Sequence, residues 1–265
     1  MDEVLISVAP VAATAAEADP EKIAREVIAC AREGAGMVHL HVRNRNGRLT
    51  ARLDAFHETV RLIRAGCDIV IEASTGGVSD LTIAERCAPL SLPEVECASL
   101  NVGSVNLGDA VYLNSPADVE YCLTRILEVR KTPEVEVFEI GMIATTLALW
   151  EKYKVAVPPL FSIVLGHRGA SPATPEALLA LRSFIPKTAH WGITHYGRQN
   201  NDVIAAAVAL GAQTVRVGFE DSAVTEAGKQ AADNLELVRH FAGLLRAMGK
   251  RPMSGEQARS VFEIV

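Results

Sequence analysis

The sequence is poor in aromatic residues, which make up 5 % of its 265 positions, and it holds no run rich in lysine and arginine. A phosphate-tracking face needs clustered cations, so with a net charge of −6 a nucleic acid is not expected as partner; a local cationic pocket stays open. Long apolar runs are missing too. The most apolar early stretch, 8–16, is alanine-rich, broken by Pro10 and preceded by Asp2 and Glu3, which fits neither a signal peptide nor a membrane span. The five cysteines (Cys30, Cys67, Cys87, Cys97, Cys122) show no CxxC spacing and lie in apolar segments. They are expected to be reduced and buried, hence a cytoplasmic protein. No Gly/Ser-rich linker interrupts the chain, so residues 1–265 are read as one domain, and 49 % hydrophobic residues exclude a disordered or collagen-like chain.

What is present is alternation. Eight Val/Ile-rich runs, at 4–11, 37–43, 68–75, 96–102, 134–140, 160–166, 190–196 and 214–220, are separated by longer segments of helical period. Asp19-Pro20, Ser115-Pro116 and Thr174-Pro175 put a capping oxygen before a proline whose missing N–H costs nothing in a first turn. Gly34, Gly211 and Gly249 follow periodic stretches and can close helices. Eight units of about 27 residues each predict an α/β fold, a (β/α)8 TIM barrel followed by a C-terminal helical extension. In such a barrel chemistry sits at the C-terminal ends of the strands.

Reactive side chains fall there. In His39-Leu40-His41-Val42-Arg43, strand alternation turns both imidazoles to one side. Alone this could be a pair of histidines satisfied by polar neighbours. Strand eight, Arg216-Val217-Gly218-Phe219-Glu220-Asp221, supplies a third donor in Glu220 and, by barrel closure next to strand one, lies within reach of strand two. Two imidazoles and a carboxylate are the ligand set of a catalytic Zn²⁺, although the same set also suits Fe²⁺ or Mn²⁺. Arg216 and Asp221 read either as a structural ion pair or as an acid–base pair beside the metal.

Ser74-Thr75-Gly76-Gly77 offers exposed N–H groups for an anionic oxygen, and Asn101-Val102-Gly103-Ser104 an amide at the same rim. On strand five, Glu139 is expected nearer the mouth than Glu136. His167 and His195 are kept as pocket residues, whereas His57 and His240 fall in helices and His190 begins its strand at the wrong end for catalysis. Arg168 and Arg198 put positive charge in mouth loops suited to a phosphate or pyrophosphate.

Taken together, MVHLHVRNRNGRLT (37–50), EASTGG (72–77), SLNVGSVNLGDAVYLNSP (99–116), PEVEVFEIG (133–141), VLGHRGASPATPEALL (164–179) and TVRVGFEDS (214–222) resemble the β-keto acid cleavage enzyme family over nearly the whole chain. The resemblance implies a zinc-dependent exchange in which a β-keto acid and acetyl-CoA give acetoacetate and a new CoA thioester. It assigns one Zn²⁺ per chain to His39, His41 and Glu220, enolate formation to Arg216 and Asp221, and contact with the β-keto acid to Ser74, Gly77 and Asn101. It also implies a homo-oligomer, a tetramer. One departure stands out. The 3-keto-5-aminohexanoate-cleaving members are expected to carry a Gly-Ala-Glu type segment after strand one, its carboxylate binding the substrate amine. Here that segment reads Val11-Ala12-Ala13-Thr14-Ala15-Ala16. Other metal-dependent carbonyl chemistry, of aldolase, lyase or hydrolase type, and a catalytically silent small-molecule-binding barrel are the alternatives that the residues alone leave open.

Overall fold

The computed structural model describes residues 2–226 and 228–264. Eight parallel strands, β1 (Glu3–Val8), β2 (Ala35–Leu40), β3 (Val70–Ala73), β4 (Cys97–Asn101), β5 (Thr132–Val137), β6 (Leu160–Leu165), β7 (His190–His195) and β8 (Thr214–Val217), pair in sequence order. Pairing of β8 with β1, from Leu5 opposite Thr214 to Val8 opposite Val217, closes the barrel. Each strand is followed by a helix: α1 (Pro20–Glu33), α2 (Asp54–Gly66), the short α3 (Ile83–Arg86), α4 (Pro116–Glu128), α5 (Ile140–Tyr153), α6 (Pro175–Phe184), α7 (Asp202–Ala209) and α8 (Asn234–Ala247). The extension is α9 (Gly255–Phe262).

The proline caps form as the sequence predicts. Asp19, Ser115 and Thr174 each accept a backbone N–H in the first turn of α1, α4 and α6, with proline in that turn. Cysteines 30, 87, 97 and 122 are buried and free, whereas Cys67 is only half-buried at the C-cap of α2.

Two separate apolar clusters follow from strand alternation. The larger lies between sheet and helices, with Ile6, Val8, Val38, Leu40, Ile71, Leu100, Val135, Val137, Ile163 and Val215 facing outward. The smaller lies inside the barrel at its N-terminal end, where Leu5, Met37, Val70, Cys97 and Leu160 meet Met253, Ala258 and Phe262 of the extension. The next side chains up each strand are polar: Ser7, His39, Glu72, Ser99, Glu134, Ser162, Thr194 and Arg216, all buried. A barrel plugged below by α9 and filled above with polar groups can open only at the C-terminal face. No helix among the described residues is long and apolar enough to cross a membrane.

Candidate active site

That face carries a cavity of about 1470 Å³ whose wall includes His39, His41, Ser74, Gly77, Glu136, Arg216, Glu220 and Asp221. His39, on β2, is 1 % exposed, and His41 follows one residue past the strand end. Their rings meet edge to face with centroids 5.3 Å apart, so alternation does turn them to one side.

Glu220 arrives by a different route from the one the sequence suggests. β8 stops at Val217, and the chain turns at Gly218, with the N–H groups of Asp221 and Ser222 donating to the Gly218 carbonyl. Gly218 has φ 141°, and a Cβ there would sit 2.1 Å from the Ala9 carbonyl oxygen, so glycine is required for this turn. The turn, not strand alternation, brings Glu220 Oε1 to 3.3 Å from His41 Nε2 and 3.7 Å from His39 Nε2.

One ligand atom each from His39, His41 and Glu220 lies within 4.8 Å of the others. The His39 Nδ1 hydrogen bond to Glu72 Oε2, 2.6 Å long, calls for the proton on Nδ1 and leaves the Nε2 lone pair facing Glu220. Two imidazole nitrogens and one carboxylate oxygen converging on a point, one ring locked by a carboxylate behind it, fit a divalent cation. Burial works to raise the Glu220 carboxyl, but the His41 and His39 imidazoles and Arg216 hold it well below the usual carboxylate range.

Arg216 is the hub of the site. Its Nε and Nη2 donate to the two oxygens of Asp221 at 3.0 and 2.8 Å, Nη1 to Glu136 at 2.8 Å, and Nη2 also to Glu220 at 3.3 Å. Burial opposes its charge, yet these three carboxylates outweigh burial and raise its pKa well above the usual value. Burial likewise works to raise Glu136, and Arg216, His39 and the Asn101 amide together more than offset it. Beneath lies a second carboxyl pair. Burial and the neighbouring Glu72 charge push Glu134 far up, and burial lifts Glu72 to about 7, so Glu134 keeps its proton and donates it to Glu72.

Ser74 and Gly77 follow β3 on the cavity wall, the Gly76 N–H donating to Ser74 Oγ at 3.2 Å. Asn101 is set back, its Nδ2 donating to Glu136 Oε2 at 2.8 Å. Three expectations need correction. β5 ends at Val137, so Glu136 faces the site while Glu139 becomes the exposed N-cap of α5. Arg198 is not at the mouth: it is fully buried over the Phe241 ring and donates to the Val224 carbonyl. His195 is buried and outside the cavity wall, whereas His167 lines it, stacked on Tyr196 with centroids 3.8 Å apart. Sequence reasoning passed over Arg43, buried beside the triad with Nη1 on the Gly47 carbonyl at 2.7 Å; its place two residues beyond His41 was the available signal.

Comparison with known proteins gives the family. The profile of the beta-keto acid cleavage enzyme family matches residues 4–264. The chain is 32 % identical over 246 residues to the 3-keto-5-aminohexanoate cleavage enzyme of Fusobacterium nucleatum, covering 92 % of this chain and 89 % of that one. It is 31 % identical over 275 residues to the 3,5-dioxohexanoate:acetyl-CoA acetone transferase of Paraburkholderia graminis, covering 92 % and 88 %. Among solved structures, the ternary complex of ObcA with C4-CoA adduct and oxalate superposes with a TM-score of 0.79 at 21 % identity, over 93 % of this chain and 67 % of that one, a likeness of fold.

Proposed function

The chain belongs to the β-keto acid cleavage enzyme family, and from that premise we propose that it exchanges a β-keto acid with acetyl-CoA, with one Zn²⁺ per chain held by His39, His41 and Glu220. The overall change is R–CO–CH₂–COO⁻ plus CH₃–CO–S-CoA to R–CO–S-CoA plus acetoacetate: one carbon–carbon bond breaks, one forms, and the thioester passes to the remaining acyl group. The observation that carries this reading is the convergence of three ligand atoms beside an arginine held by carboxylates, at the one end of the barrel open to substrate. The acetyl-CoA transferase named among the relatives supports the co-substrate.

When bound, the zinc supplies Lewis acidity toward the keto oxygen. Glu72 keeps the His39 ring in register for it. Asp221, gripped through both oxygens by Arg216, takes the proton from the methylene between keto and carboxylate groups, and Arg216 holds the charge that moves through this corner. Glu136 fixes the far side of Arg216 and is itself fixed by Asn101. Ser74 and Gly77 meet the substrate carboxylate, with Asn101 behind them. Lysine offers no competing Schiff-base route, since no lysine lines the cavity among the described residues.

Elemental analysis and an exchange assay test the assignment together. One zinc per chain, acetoacetate formed only when β-keto acid and acetyl-CoA are both present, and loss of metal and turnover in a His39→Ala/His41→Ala variant are expected. Stoichiometric metal surviving in that double variant would overturn it.

A further inference from the structure

Tyr112 belongs to a small hairpin, Val105–Leu107 with Ala110–Tyr112, that follows β4 and folds over the cavity. It is 4 % exposed and lines the cavity wall. A phenol offers one hydrogen to donate and two lone pairs to accept. One lone pair is used: Arg86 Nη2 donates to the hydroxyl oxygen at 3.2 Å. The hydroxyl hydrogen meets no acceptor among the described residues. Burial raises the phenol's pKa, so the hydrogen stays in place.

Gly76 shows what lies beside that hydroxyl. A Cβ at Gly76 would lie 2.3 Å from the Tyr112 hydroxyl oxygen and 3.3 Å from Asn101 Nδ2. The hydroxyl therefore packs directly against the Gly76 backbone, with the Asn101 amide close behind, so two donors stand beside the stretch of cavity wall that Gly76 and Tyr112 form. Asn101 uses one of its two amide hydrogens on Glu136, and Ser74 Oγ only accepts, from Gly76, so each retains a hydrogen. Behind the turn, Arg86 donates to the carbonyls of Thr75 and Leu113 and to Asn114 Oδ1, and its ring contact with Tyr112 is 5.3 Å. Arg86 forms no ion pair among the described residues, so its charge acts on whatever enters the cavity beside Gly76 and strengthens the hydroxyl as a donor.

We propose that Tyr112, backed by Arg86, is a substrate-binding residue that donates its hydroxyl hydrogen to the carboxylate of the β-keto acid, completing a cradle formed with Ser74 and Asn101 around Gly76. This rests on the exchange reading above and adds to it a residue from outside the strand ends. A hydrogen bond to a charged oxygen, once lost, weakens binding roughly tenfold to a hundredfold.

The test is calorimetric titration of acetoacetate, and separately of its methyl ester, into metal-loaded wild type and Tyr112→Phe, a change that keeps the ring under Arg86. The proposal expects acetoacetate to bind the variant at least about tenfold more weakly, the ester to bind both proteins alike, and metal content to be unchanged. In Gly76→Ala, whose methyl group would displace the Tyr112 hydroxyl, acetoacetate binding should disappear with metal retained. Equal acetoacetate affinities in wild type and Tyr112→Phe overturn the proposal, as does equal weakening for acid and ester, which would make the hydroxyl a brace for the turn. If wild type itself binds no acetoacetate, the exchange reading falls and this inference with it.

Discussion

Arg216 touches three carboxylates within one guanidinium, and removing it would leave Glu136, Glu220 and Asp221 to repel one another in a buried pocket. On the exchange account, Asp221→Asn keeps the shape and removes the base. It should hold a full complement of metal yet lose turnover by roughly a hundredfold or more, the usual scale for a positioned proton acceptor. Arg216→Ala should lose at least as much. Near-normal kcat in Asp221→Asn, with zinc content measured on the same sample, would reduce the pair to a structural ion bridge. At this scale the legible residues were those whose direction follows from period two: His39 and His41 could be read because two strand positions share a side. Glu136 was misjudged against Glu139 because the choice depends on where β5 ends, and it ends at Val137, one turn earlier than its apolar run suggests. Tyr112 gave no signal, since it enters the site from a three-residue strand whose place over the mouth is set by tertiary contacts.

At the scale of elements, two short segments decide the site. The first is the turn after β8. Gly218→Ala would force a methyl into the Ala9 carbonyl at a φ of 141°, so the turn must move and Glu220 with it. The expected result is a stability loss of about 2 kcal/mol or more together with weakened metal binding; unchanged melting and unchanged metal affinity would show that the turn does not set the triad. The second is the segment after β1. Residues 13–16 line the cavity as Ala, Thr, Ala and Ala, while the following Glu17 is exposed and paired with Lys22 at 3.1 Å. An ammonium against that wall lacks a partner and costs several kcal/mol of desolvation. A neutral β-keto acid should therefore exceed 3-keto-5-aminohexanoate in kcat/KM by about a hundredfold or more. Side-by-side kinetics with acetyl-CoA check this, and an aminated substrate that came out best would mean another acid reaches the pocket.

Over the whole molecule, barrel architecture was legible because eight alternations of strand and helix leave few closed arrangements. The division of the interior was not. That α9, through Phe262 and Ala258, and Met253 just before it plug the lower end depends on long-range contacts that no local period reports. Neutral histidine is buried elsewhere in the fold, at the end of β7. Burial, with the charge of Arg198, lowers His195 from 6.5 to about 4. The unfolded chain therefore binds a proton below about pH 6.5 that the native protein refuses until about pH 4, and stability is lost as pH falls through that window. Between pH 7 and pH 5 this one group should cost about 2 kcal/mol. Urea denaturation of wild type and His195→Asn at both pH values should show the smaller acid loss in the variant; identical losses would remove His195 as the cause.

Carbon tracing tests the central claim most directly. Wild-type protein is supplied with an unlabelled β-keto acid other than acetoacetate and with acetyl-CoA labelled at both acetyl carbons, and the products are resolved by mass. The account predicts acetoacetate carrying both labelled carbons and an unlabelled acyl-CoA in equal amount, with neither formed by the His39→Ala/His41→Ala variant. Label that remains in the thioester or leaves as free acetate, or unlabelled acetoacetate, would contradict it.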